Sequence, residues 1–298
     1  MAIRPAFRGR GRAGVACAIA LVAGGLVSAG QLPSEPRRLF GAGVTGAFEG
    51  WFESSDGSRT FLVGYLNRNT EQALDVPIGP NNRIEPGGPD LGQPTHFLPD
   101  RQWGVFTVKV PKEFTTPDQR LTWTIVANGQ TTTIPLRLHP DYTVSPFVDV
   151  AAKNTPPVLR LDEQGPGTQG PLALLQSAPL RRASASTPLS LSAWVEDDAK
   201  FASATMAVPR NPPPPVRLTW SKYRGPGHLT FADDKPVVQA LEGGGVGVRF
   251  RGLAKTTVRF SQPGEYVLHL LANDYSGEGG GGEVCCWTTA LLKVSVTP

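Results

Sequence analysis

The stretch Val258–Asp274, VRFSQPGEYVLHLLAND, limits what this chain can fold into more than any other. Phe260 closes an apolar run, and Pro263-Gly264 turns the backbone. A second run follows, in which Tyr266, Leu268 and Leu270 alternate with Val267, His269 and Leu271. A strand sends successive side chains to opposite faces, so the tyrosine and the two leucines share one face. A tyrosine just after a Pro-Gly corner is the sequence form of a tyrosine corner. In that device the hydroxyl bonds back to the loop backbone and closes a β-sandwich.

The rest of the chain extends that pattern. Its 298 residues include 34 glycines and 29 prolines, scattered between Val/Leu/Thr-rich runs. This is the composition of a turn-rich β protein, with room for about two domains at roughly 150 residues each. Short turn-bounded runs are predicted as strands around Trp51, over 60–67, 74–78 and 103–110, and on both sides of Asn128-Gly129. Asn-Gly between alternating runs is the strongest local hairpin signal, because both residues accept the positive φ of a type I′ turn. No window carries a helical period. The expected fold is all-β: two tandem Ig-like β-sandwich domains after an N-terminal signal peptide.

Residues 1–29 read as that signal peptide. Arg4, Arg8, Arg10 and Arg12 precede the apolar run Ala13–Val27, and Val27-Ser28-Ala29 fits a small-x-small cleavage site. A transmembrane anchor is the alternative, but the apolar run is shorter than the ~20 residues a span needs. After cleavage the chain is not expected to be an integral membrane protein. Of 29 basic residues, four leave with the leader, and 25 remain against 25 acidic ones. The basic balance of the whole chain therefore comes from the leader and gives no ground for nucleic-acid binding. Residues 30–45 read as a linker, 46–148 as the first sandwich, 149–158 as a Pro-containing interdomain joint and 159–298 as the second sandwich, with a long insertion at 199–215. The stretch after Asp162 reads as an exposed loop. Trp220 in VRLTWSKY stands where sandwich domains bury a tryptophan on the third strand.

The second domain resembles PKD-type (polycystic kidney disease repeat) Ig-like domains over residues 154–298. The residues that carry the resemblance are Asn154-Thr155-Pro156-Pro157, Leu189-Ser190-Leu191-Ser192-Ala193 with Asp197-Asp198, Leu218-Thr219-Trp220-Ser221-Lys222, Gly225-Pro226-Gly227, Pro263-Gly264-Glu265-Tyr266 and Ala272-Asn273-Asp274. It departs from that family in the insertion and in the Gly-rich tail before Cys285. Some members bind calcium through acids at the ends of these strands, and hard oxygen ligands suit that ion. The resemblance thus implies calcium as a cofactor at Asp197, Asp198 and Asp274; otherwise these are turn acids that cap backbone amides. No cofactor is expected beyond it.

Chemistry-bearing motifs are scarce. His96, His139, His228 and His269 form no HxH or HExxH pair, and the chain has neither a GxSxG elbow nor a P-loop, so no catalytic residue is assigned. Cys285 and Cys286 are the only cysteines left after the leader, which rules out a long-range disulfide framework. In an oxidising compartment they can close a vicinal disulfide; reduced thiols on opposite faces of a strand, or a soft-metal site, are the alternatives. The Gly/Pro-rich segment 79–100 is long for a turn, and loops of this length are often functional. Its Asn81, Asn82, Arg83, Asp90 and His96 are the ligand-loop candidates. The function expected is a non-catalytic, secreted or periplasmic binding or scaffold protein whose partners are protein or glycan at the cell envelope. An accessory module of a secreted polysaccharide-degrading system, offering Trp51, Trp103 and Trp123 to a sugar, is one alternative. A redox or metal protein using the paired cysteines is another.

Overall fold

The computed structural model describes residues 36–298 apart from positions 55, 115, 117, 150 and 151 and the segments 201–213 and 276–284. The leader, the first residues of the linker, most of the insertion and the Gly-rich tail before Cys285 lie outside the described residues. The first half of the chain contributes β1 (Val44–Glu53), β2 (Arg59–Asn67), β3 (Leu74–Asp75), β4 (Asn82–Glu85), β5 (His96–Phe97), β6 (Asp100–Lys109), β7 (Arg120–Ala127) and β8 (Gln130–Arg137). The second contributes β9 (Val158–Arg160), β10 (Thr168–Gln169), β11 (Leu180–Ser184), β12 (Leu189–Asp197), β13 (Arg217–Arg224), β14 (Leu229–Phe231), β15 (Gln239–Glu242), β16 (Phe250–Phe260), β17 (Gly264–Asn273) and β18 (Trp287–Thr297). Among the described residues the helical turns are two short 3-10 segments, Pro140–Tyr142 and Leu175–Ser177. The fold is all-β.

In the first half, β1-β2-β6 face β4-β7-β8, with the small pair β3-β5 beside them. The β7–β8 hairpin turns at Asn128 (φ 49°) and Gly129 (φ 75°), and Ala127 lies opposite Gln130. Both central residues thus hold the positive φ that the type I′ turn demands. The core is aromatic and aliphatic: Phe61, Ile84, Phe97, Phe106 and Trp123 are fully or almost fully buried. The segment 79–100 is not all loop. Asn82 and Ile84 point inward while Arg83 and Glu85 point out, and this short alternation pairs as β4 with β7. Glycines and prolines on both sides hid it.

In the second half, β10-β9-β12-β16-β14, with β15 also on β16, form one sheet. The other is β11-β18-β17-β13, with β11 parallel to β18. Trp220 is buried in the core between them. Tyr266 donates its hydroxyl to the Gln262 carbonyl at 2.8 Å, so the corner is closed as its sequence form requires. Gly225 has φ +142°, and a Cβ there would collide with the Tyr266 ring. Two stretches differ from expectation. The segment VGVRF is not a strand of its own: Val246, Gly247 and Val248 turn the chain, and only Phe250 enters β16, which continues through TTVRF with Phe250, Ala254, Val258 and Phe260 facing inward. The stretch after Asp162 is not simply exposed: it carries β10 and β11, and Ala173, Leu175 and Ala178 pack on the core of the first half.

That last contact belongs to a larger one. The second sheet of the second half buries apolar side chains on both faces. Tyr266, Leu268 and Leu270 point into its own sandwich. Val267 and Leu291, with Tyr223, join the core of the first half, while Trp287 packs with Phe52 and Leu62 of β1 and β2. Gly104 has φ +47°, and a Cβ on it would strike the Trp287 ring, so β6 comes close to this tryptophan. By its contacts the chain from 35 to 298 forms one compact unit.

The hydroxyl of the corner, which meets Gly227 and Ser261 as well as Gln262, is testable as a unit. Tyr266→Phe keeps the packed ring and removes only the hydroxyl. Chemical denaturation is expected to show a loss of about 0.5–1.5 kcal/mol with an unchanged m-value.

Candidate functional site

The polar contacts across the seam between the two halves are made chiefly by three consecutive residues. β13 slips register between Lys222 and Arg224, and a slip of this kind re-aims side chains. Lys222, Tyr223 and Arg224 all reach the first half. Lys222 Nζ lies 3.0 Å from Asp75 Oδ1, and its side chain is only 7% exposed. Tyr223 donates its hydroxyl to the Gly92 carbonyl. Arg224 makes a two-pronged contact with Asp90, 2.9 and 2.8 Å, and donates through Nε to the Gln93 carbonyl at 2.9 Å. The Thr95 amide donates to the Tyr223 carbonyl, adding a backbone bond across the seam. Burial pushes the Asp75 carboxyl up, but hydrogen bonds from His96 and Lys222 outweigh it and hold the pKa at about 2. His269 stacks on Tyr223 with ring centres 6.0 Å apart, and burial lowers its pKa to about 4, so it is neutral at the seam.

The ligand-loop candidates therefore have distinct fates. Asn82 is fully buried; its amide donates to the carbonyls of Val76 and Pro94, and its Oδ1 accepts from Trp123 Nε1 at 3.0 Å. Asp90 and His96 hold the seam, His96 through Asp75 at 2.9 Å. Asn81 and Arg83 lie outside it: the Asn81 carbonyl accepts from the Val126 amide, and Arg83 pairs with Glu85 at 2.9 Å. Beside His96 the seam opens into a cleft of about 550 Å³, which Lys222, His228, Asp234 and Lys235 also line. The sequence reading missed Lys222, Tyr223 and Arg224. Their signal was a strand ending on three consecutive large side chains, where alternation calls for a change of face.

A second polar cluster lies at the other end of the second sandwich. Asn154 donates to Asp274 Oδ2 at 2.6 Å, and both side chains are buried. Asp197 accepts from the Ala199 amide at 2.7 Å through Oδ2, while its Oδ1 is buried with no hydrogen-bond partner among the described residues. Burial first, then the charge of Asp274, raises the Asp197 pKa to about 8. Asp198 sits at the rim, taken by Thr155 at 3.1 Å and Lys200 at 3.2 Å. Among the described residues no group of three or more His, Cys, Asp or Glu side chains is placed to hold a metal ion.

Cys285 and Cys286 are joined by a disulfide across a cis peptide bond, and both are buried, with their sulfurs near the Asn154 carbonyl. Of the tryptophans considered for a sugar, Trp123 is buried. Trp51 is half-buried and anchored to the His139 carbonyl at 2.8 Å. Trp103 is half-buried under the Arg101 guanidinium, 3.8 Å from its ring centre. They do not form an open platform.

Asp197 gives a signed pH test. Its folded pKa lies above the ordinary 3.8, so the native state binds the proton more tightly, and stability falls as pH rises from about 4 to about 8. Asp197→Asn keeps an oxygen for the Ala199 amide and removes the charge. Thermal melts at a series of pH values are expected to show the variant more stable than the parent above pH 8 and the gap closing below pH 4. Calcium that raised the melting temperature of the parent alone would instead place the ion at these carboxylates.

No protein-family model matches the chain, and no curated protein does. Among solved structures, domains 4 and 5 of the S-layer protein SbsC are similar at 11% identity, covering 86% of this chain and 98% of that one, with a TM-score of 0.21. A likeness at that score carries no argument.

Proposed function

We propose that this chain is a non-catalytic scaffold, exported to the cell envelope or beyond, whose two β-sandwiches serve as one rigid body. The observation that carries the reading is the apolar core shared across the seam. Val267, Leu291 and Tyr223 are packed with residues of the first half, so relative motion of the halves would expose buried apolar area. Independent binding modules on a flexible tether do not need such a core. The polar contacts agree with it: Asp90 and His96, expected as loop residues free to meet a ligand, are engaged, Asp90 with Arg224 and His96 with Asp75, which in turn pairs with Lys222. The basic, acid-free leader and the near-neutral charge of the chain that remains support export to an envelope setting.

Two measurements test the reading. Spin labels at Thr131→Cys and Thr187→Cys, exposed positions in different halves, are expected to give one narrow distance distribution; a broad one contradicts the rigid body. Fractionation of the native cell with mass spectrometry is expected to find the chain exported and lacking residues 1–29. Retention in the cytoplasm with the leader intact contradicts the envelope role.

A further inference from the structure

The outward face of the sheet containing β12 and β16 holds a set of side chains that neither the core nor the seam uses. Alternation along β16 turns Arg251, Leu253, Lys255, Thr257 and Arg259 outward. On β12 it turns Ser190, Ser192, Trp194 and Glu196 outward. The register sets these side by side. Trp194 lies between Arg160 on β9 and Leu253 on β16; Glu196 lies opposite Arg251, and Ser192 opposite Lys255. Cations four residues apart on one strand recur about every 13 Å, a spacing that suits an extended polymer lying along β16.

The charges on this face do not balance locally. Glu196 is the one carboxylate that Arg160 (2.6 Å), Arg249 (2.9 Å) and Arg251 (3.8 Å) share, and Arg251 also reaches Glu242 at 2.9 Å. Lys255 and Arg259 are exposed, and their cross-strand neighbours are a serine and a threonine. The chain that follows the leader has equal numbers of acids and bases, so these cations are a segregation of charge, not a reflection of the average. Trp194 is half-buried and borders a groove of about 230 Å³ whose charged lining is Arg160 and Arg251 with Glu163 and Glu196, so the excess of positive charge lies beyond the groove, at Lys255 and Arg259.

We infer that this face binds an acidic polysaccharide bearing carboxylates on its sugar rings. The inference rests on the scaffold reading and names the envelope component that the scaffold meets. Guanidinium forks match carboxylates in two-pronged geometry. The indole offers a flat apolar surface to a sugar ring, while the hydroxyls of Ser190 and Ser192 and the carboxylate of Glu196 offer partners to ring hydroxyls. A DNA strand can also stack a base on the indole, but it has no free ring hydroxyls for Ser190, Ser192 and Glu196 to meet.

Affinity electrophoresis of the exported chain at low salt tests this, with polygalacturonate, neutral dextran, single-stranded DNA and phosphatidylglycerol vesicles as probes. Polygalacturonate is expected to retard the protein and dextran to leave it unaffected. The paired variant Lys255→Glu/Arg259→Glu, in which both positions are exposed, is expected to weaken the retardation about tenfold or more without moving the melting temperature. Trp194→Ala is expected to weaken it further. Absence of polygalacturonate retardation overturns the inference. So does retardation that the paired variant leaves unchanged, or equal retention of DNA or vesicles that Trp194→Ala does not alter. If polygalacturonate fails while the spin-label distance stays narrow and the chain is exported, this inference falls and the scaffold reading stands.

Discussion

The structure depends on one sheet that buries large apolar side chains on both of its faces. β17 and β18 place Tyr266, Leu268 and Leu270 in their own sandwich and Val267, Leu291 and Trp287 against the first half of the chain. Each large apolar side chain so covered is worth about 1.5–3 kcal/mol relative to exposure. The seam is therefore held mainly by area, and its charges fix where the halves meet. Arg224 and Asp90 are partly exposed and contribute little strength, but their two-pronged geometry permits one alignment. Lys222 is different: it is nearly buried, so loss of Asp75 would strand its charge rather than merely delete a contact.

Much of this was legible in the residues. Pro263-Gly264 followed by Tyr266 required a corner, Asn128-Gly129 required a hairpin, and Trp220 required a core, because each residue type admits few alternatives in its setting. The second apolar face of β17 was legible too, since Val267 and Leu271 flank Leu268 and Leu270 on the opposite face of the strand. What it packs against was not: periodicity shows that a face is buried and is silent on its partner. The segment 79–100 misled for a related reason. Its Gly/Pro content is the mark of a loop free to bind, and the same rigidity serves a loop that presents Gly92, Gln93 and Asp90 to the other half.

The buried carboxylates could not be sorted by sequence either. Asp197 and Asp198 are neighbours, yet strand alternation sends one inside, where burial keeps its proton to about pH 8, and leaves the other at the rim beside Lys200. The same alternation on β12 and β16 separates a core of Ala193, Val195, Ala254 and Val258 from an outer face of tryptophan, serine and cations. One rule, applied to four strands, thus produces the core, the seam and the exposed basic face. In this account the seam fixes the geometry and the open sheet face makes the contact.

The central claim is that the halves share a core and cannot unfold separately. Differential scanning calorimetry of the chain without residues 1–29 tests it most directly. The account predicts one transition whose calorimetric and van't Hoff enthalpies agree. Two resolved transitions, each with the enthalpy of a domain of roughly 100 residues, would contradict it.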